Sequence, residues 1–178
     1  MEAEKVLVLR TCSAEMLSYG GFKWPESGPV ECDDWDPTPE CGGGLHGLLW
    51  GEGNGLLLNW DDAARWLVVE VDADQVIDVD GKVKFPRCDV VHCGDKDSAI
   101  GYILANGAEG KAVVGAKITA GYSGQATAGD GGTIIISYWD NDAQRRRLVV
   151  GYVGENNIQP GTQYRLNDDH EFVLAKEE

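Results

Sequence analysis

Basic residues are scarce in this chain: 15 Lys and Arg stand against 30 Asp and Glu, for a formal net charge of −15. Holding a nucleic-acid backbone requires a basic surface, so this balance argues against a nucleic-acid partner. Acidity alone is thin support for the converse idea of a nucleic-acid mimic. The charge favours solubility and repulsion between copies. No stretch approaches the ~18 apolar residues of a membrane-spanning helix. The opening Met1–Lys5 lacks the basic and apolar segments of a secretory signal, so synthesis in the cytoplasm is the expectation. No dinucleotide fingerprint, phosphate-binding loop or nucleophile elbow occurs. Gly51-x-Gly53-x-Gly55 is a glycine-rich turn without the helix that a phosphate site needs. The five cysteines are odd in number, which points to reduced thiols rather than a disulfide framework. Cys32, Cys41, Cys88 and Cys93, with His46 or His92, offer a zinc reading. Their spacings, C-x8-C and C-x4-C, are not the tight pairs of structural zinc sites. No metal and no cofactor is expected.

What the chain does have is a short repeat. Val113–Ala120, Gly121–Ala128 and Gly129–Ile136 are three octads in register. Ile118/Ala120, Ala126/Ala128 and Ile134/Ile136 fall at their sixth and eighth positions, Lys117/Thr119, Gln125/Thr127 and Thr133/Ile135 at their fifth and seventh. This alternation predicts strands with one buried and one exposed face. Repeated at a short period with glycine corners, it reads as a β-solenoid with two octads per coil. A weaker copy, Ala105–Ala112, precedes the three.

Composition divides the chain into an α+β domain over 1–104, minimal solenoid repeats over 105–136, and a cap of β-hairpins over 137–178. In the first part, Val6–Leu9, Leu45–Trp50, Trp66–Val71, Val83–Phe85 and Val90–His92 read as strands. Trp66–Val71 is a continuous apolar run, hence buried. Ser18–Asp36 should be mostly loop. One helix is expected after Asp61-Asp62, running through Arg65, and another over Asp97–Ala105, capped by Asp97 or Ser98. Trp50 and Trp66 are expected in the core. In the tail, Thr133–Trp139, Leu148–Val153, Gln163–Leu166 and Glu171–Leu174 read as strands, which would shield the open end of a solenoid.

The chain resembles the bacterial ice-nucleation proteins over nearly its whole length. The resembling pieces at the front are Leu7-Val-Leu-Arg-Thr-Cys12, Trp24-Pro25, Ser27-Gly28, Gly47-Leu-Leu-Trp-Gly51 and Ala64-Arg-Trp66 leading to Glu70-Val71. Val83-Lys-Phe-Pro-Arg87, Val90-Val-His92 and Gly94-Asp95 continue the series. At the back they are Trp139-Asp140, Gly154, Ile158, Tyr164 and Asp168-Asp169, and in the repeats Ala120-Gly-Tyr122 and Thr127-Ala-Gly129. The resemblance implies a non-enzymatic protein of the bacterial cell surface or outer membrane. Its first domain would associate with envelope lipid, its coils order water into ice, and its tail cap the array and promote self-association into oligomers.

It also implies that outward Thr-x-Thr-like rows face the ice. The matching candidates here are Thr119, Gln125, Thr127 and Thr133. Stiff β-branched threonines present a methyl and a hydroxyl side by side. Tyr122 matches the tyrosine that stacks along such arrays. Tyr122 and the basic cluster Arg145, Arg146 and Arg147 are the assembly candidates. Family arrays are long, whereas this chain keeps about one and a half coils and lacks the polar linker that precedes the array. Weak nucleation, or none, is therefore the expectation. Two other readings stand beside this one. The first domain may be read as a lipid- or protein-binding module with the octads as spacer. Alternatively, Gly42–Gly47 and the Val-rich strand to Glu70 suggest an ADP-ribosyltransferase-like enzyme, with Arg10 at the nucleotide phosphates and Glu70 as catalytic carboxylate.

Overall fold

The structure, a computed structural model, describes residues 4–121 and 123–175. It is mostly β-sheet with one short helix, and it forms two compact units, Met1–Glu109 and Gly110–Glu178.

The first unit is an open seven-stranded sheet built on β1 (Lys5–Cys12). Its other strands are β2 (Gly28–Glu31), β3 (Leu45–Leu49), β4 (Arg65–Asp72), β5 (Ile77–Asp78), β6 (Val83–Phe85) and β7 (Arg87–Gly94). The spatial order is β2-β7-β4-β1-β3-β6-β5, with every pairing antiparallel. β1 and β4 pair over their whole length, from Lys5 opposite Asp72 to Cys12 opposite Arg65. Alternation sends Val8, Cys12, Leu67, Val69 and Val71 to one face, where they join Trp24, Phe85 and Cys88 in a single core. The helix α1 (Lys96–Ile103) packs on β4, β7 and β1 and buries Ala99, Ile100 and Ile103. Both faces of β4 are thus covered, which is why Trp66–Val71 is apolar without interruption. Gly47 marks a close approach of β3 to β1: a Cβ there would lie 2.4 Å from Val8 Cγ1 and 2.8 Å from the Leu9 carbonyl oxygen.

The helix expected after Asp61-Asp62 does not form. A single turn closes from Ala64 N–H to the Asp61 carbonyl, and at Arg65 the ladder with Cys12 takes over the backbone. Pairing along β1 outweighs the local capping signal. The helix expected over Asp97–Ala105 does form, but its cap is Asp95, whose carboxylate accepts from the Ser98 N–H at 2.8 Å. Beyond Ile103 the chain continues as a π-turn over Leu104–Ala108. The strand Gly28–Glu31, inside the expected loop, is an edge strand, where Pro29 is tolerated. Trp66 is buried, whereas Trp50 is only half-buried.

The second unit holds two three-stranded sheets, β11-β10-β8 and β13-β12-β9. Its strands are β8 (Lys117–Ala120), β9 (Ala126–Thr127), β10 (Thr133–Asp140), β11 (Arg145–Tyr152), β12 (Gln163–Leu166) and β13 (Phe172–Leu174). The chain passes from the first sheet at β8 to the second at β9 and returns to the first at β10. β10 lies parallel to β8 in register, Thr133 opposite Lys117 through Ile136 opposite Ala120, an offset of 16 residues. The stacking reaches back beyond the strands, since the Gly129 N–H donates to the Val113 carbonyl at 3.1 Å. Ala126, Ala128, Ile134 and Ile136 enter one core with Ile158 and Tyr164, against which Ile118 and Ala120 pack. These are the inward positions that the octad alternation predicts. Buried Tyr164 is fully engaged, its hydroxyl accepting from Gln159 N–H at 2.8 Å and donating to the Asn157 carbonyl at 3.1 Å.

Gly129 shows how tightly the octads stack: a Cβ there would lie 2.3 Å from the Ala112 carbonyl oxygen and 2.8 Å from Val114 N. Gly121, at the preceding corner, has nothing within 4 Å of such an atom. Gly129→Ala is therefore expected to destabilise the second unit by about 1–3 kcal/mol through overpacking, and Gly121→Ala to be nearly neutral. Denaturant melts of the two variants check this, and equal midpoints would contradict it.

Candidate water-ordering face

Elements that pair in register place their side chains on a common face. On the outward face of β8, β10 and β11, one cross-strand row runs Lys117, Thr133, Tyr152 and the next Thr119, Ile135, Val150. Thr119 is exposed and Thr133 half-buried, whereas Ile135, an outward position by octad phase, is only 9% exposed. Thr127 lies on the other sheet, opposite Gln163 of β12, and exposed Gln125 precedes it on the same stretch. The four ice-facing candidates are thus divided, Thr119 and Thr133 on one sheet, Thr127 and Gln125 at the other. Tyr122 lies outside the described residues.

The arginine cluster is part of β11 rather than a lead into it. Strand alternation divides it: Arg146 shares the outward face with Leu148, while Arg145 and Arg147 point the other way. Arg147 pairs with Asp140 across the hairpin, and Arg146 Nη1 lies 3.5 Å from Ser137 Oγ. Asp140 also accepts from the Ala143 N–H at 2.9 Å and the Asp142 N–H at 3.0 Å. Tyr138, opposite Arg147, stacks on His170 with ring centroids 3.6 Å apart.

Sequence reasoning missed the apolar character of this face where it reaches the edge strand. Trp139, Leu148, Val150 and Tyr152 are 48%, 62%, 44% and 52% exposed. The signal was present as the alternation Leu148-x-Val150-x-Tyr152, in a stretch apolar at its other positions too.

Among the described residues, no three His, Cys, Asp or Glu side chains converge as metal ligands, and the five cysteines are free. The residues of the zinc reading are separately engaged: Lys82 Nζ reaches Cys41 Sγ at 3.1 Å, Arg65 Nη2 reaches Cys93 Sγ at 3.5 Å, and His92 meets Ser98 Oγ at 3.1 Å. The arrangement needed by an ADP-ribosyltransferase is absent. Arg10 stands opposite Leu67 and Glu70 opposite Leu7, so alternation puts the two on opposite faces of the sheet.

A β-rich chain with a short repeated, water-facing surface is the class this geometry defines. Residues 6–100 match a domain of unknown function (DUF7666). The chain is 47% identical over 111 residues to the ice nucleation protein InaU of Pantoea ananas, which covers 61% of this chain and 11% of that protein. It is 46% identical over 108 residues to an ice nucleation protein of Pseudomonas fluorescens, covering 60% of this chain and 9% of that one. For an ice nucleation protein of Xanthomonas campestris pv. translucens the identity is 44% over 108 residues, 60% and 7%. The chain belongs to that domain family and to the ice-nucleation protein family. It spans about a tenth of the length of the curated relatives it matches. No solved structure matches it.

The hairpin of β10 and β11 has a defined pH response. The amides of Ala143 and Asp142 and the Arg147 guanidinium hold the Asp140 carboxyl below its ordinary value, the Ala143 amide most strongly. A depressed carboxyl favours the folded state above the ordinary carboxylate range, and that contribution is lost as pH falls through the lowered value. Carboxyl-carbon NMR titration should find Asp140 below the aspartate norm, and raised but still depressed in Arg147→Gln. An Asp140 that titrates normally would contradict this account.

Proposed function

We propose that the chain is a non-enzymatic ice-nucleation protein of short array, whose octads form coils of a β-solenoid and present water-ordering rows. In this reading residues 1–104 associate with envelope lipid at the bacterial surface, 105–136 form the repeats, and 137–178 cap the array and promote self-association. The observation that carries it is the parallel stacking of β10 on β8 at an offset of 16 residues, two octads. Such stacking brings equivalent outward side chains to a spacing of ~4.8 Å, repeated for as many coils as the array holds. Support also comes from the names of the relatives, all ice nucleation proteins. Among the described residues no helix is long and apolar enough to cross a membrane, so the envelope association proposed here would be peripheral or through a partner.

The same geometry limits the activity. Threonine outward positions occur once on β8 and once on β10, and three strands span only ~10 Å. That area is too small to template a large ice embryo. Droplet freezing of the purified chain over a concentration series is expected to match the buffer blank. Chains lengthened by successive 16-residue coils between 120 and 121, each with two outward threonines per strand, should freeze progressively warmer. Lengthened chains that fold yet freeze with the blank would sink the solenoid reading. Warm freezing by the unmodified chain, rising with concentration, would overturn the limit placed on it.

A further inference from the structure

Arg10 is 8% exposed, inside a protein with an abundance of carboxylates, and it forms no ion pair among the described residues. Its guanidinium lies 3.6 Å from the centroid of the Trp24 ring, and its Nη1 donates to the His46 carbonyl at 3.1 Å. Its ionisable neighbours are the thiols of Cys12 and Cys88. Burial raises both, Cys88 to about 12, so neither supplies a counter-charge at neutral pH. A buried cation without an anion is costly unless something else neutralises it.

Arg10 lines a cleft of about 750 Å³ that lies wholly within the first unit. Two more side chains of that cleft have buried nitrogens without a hydrogen-bond partner, Trp24 at Nε1 and His46 at Nε2, and Arg10 has a third at Nε. Buried polar atoms are almost always satisfied, so three orphans around one cleft need a reason. The field there is positive: after burial, the charges of Lys82, Arg10 and Lys84 keep the His46 imidazole below its ordinary pKa. Two carboxylates, Asp33 and Asp34, also line the cleft; Asp34 is engaged by the Gly44 N–H at 3.0 Å. The mouth is apolar, with Tyr19 fully exposed and Phe22, Leu56 and Leu57 39%, 89% and 48% exposed. The volume is that of a small-molecule site, and its lining joins an apolar wall to a few convergent donors.

We propose that this cleft binds a small organic anion, its phosphate or carboxylate seated on Arg10, Trp24 and His46 and its apolar or aromatic body against Phe22 and Leu57. The anion takes the guanidinium as a charge-assisted donor and completes the hydrogen bonding of the orphaned nitrogens. This site stands independently of the water-ordering face.

The test follows the Arg10 Nε and Trp24 Nε1 signals by nitrogen–proton NMR of the full chain during titration with inorganic phosphate or phenyl phosphate. A parallel arm measures co-sedimentation with phosphatidylcholine vesicles containing phosphatidylglycerol. Phenyl phosphate should shift both signals saturably and bind at least tenfold tighter than inorganic phosphate. Arg10→Met should weaken it at least tenfold. Leu57→Asp, at an exposed position that leaves folding intact, should abolish the preference for phenyl phosphate even if Arg10→Met does not fold. Saturable binding of phenyl phosphate assigns a free ligand, and Leu57-dependent binding of vesicles alone assigns a lipid headgroup; both support the site. Unmoved signals with both probes, together with vesicle binding that is absent or indifferent to Leu57→Asp, would overturn it.

Discussion

The second unit depends on the parallel pairing of β8 with β10, the one parallel contact among the paired strands described. Parallel neighbours cannot be joined by a tight hairpin, so the connecting chain must leave the sheet and return. Here it does so by way of β9 in the second sheet, and that excursion creates the shared core of Ala126, Ala128, Ile134 and Ile136. Small residues on β9 and branched ones on β10 suit a narrow interior. The antiparallel hairpin of β10 and β11 then covers the last parallel strand with one of opposite direction, which ends the stack on that side.

Much of this was legible because it is local. Period-two alternation in Ile118/Ala120 and Ile134/Ile136 identified the inward faces, and the run Trp66–Val71 announced a strand covered on both sides. What escaped was decided by partners distant in sequence. The turn at Asp61–Ala64 lost its helix to pairing with Cys12, 53 positions from Arg65. The strand at Gly28–Glu31 exists because β7 offers an edge, which nothing in its Gly-Pro composition declares. Of the candidate site, the residues were found but not their grouping: octad phase gave Thr119, Thr127 and Thr133 equivalent roles, and the sheets separate Thr127 from the others. Arg10 read as the end of a strand. Its burial follows from the β4 ladder and from Trp24, neither visible from the residues beside it.

The two units illustrate different ways of treating polar groups. In the second, Tyr164 and Asp140 find all their partners within the chain, and the surface is left to water. In the first, a cation and two ring nitrogens remain inside without them. A fold stabilised by complete ladders, such as that between β1 and β4, tolerates this incompleteness at one place. Such a place is where a site is expected, since catalytic and binding groups are held at some cost in stability.

The register of β8 and β10 also bears on how such genes change. An offset of 16 residues corresponds to forty-eight nucleotides. Gain or loss of a segment of that size keeps the reading frame, the inward and outward parity of each side chain, and the sheet to which each strand belongs. A change of one octad preserves frame and parity but exchanges the two sheets, which would bring β12's partner strand to the place of β10's. Replication slippage in whole coils is therefore structurally silent at both junctions, and array length is free to drift while the units on either side stay as they are.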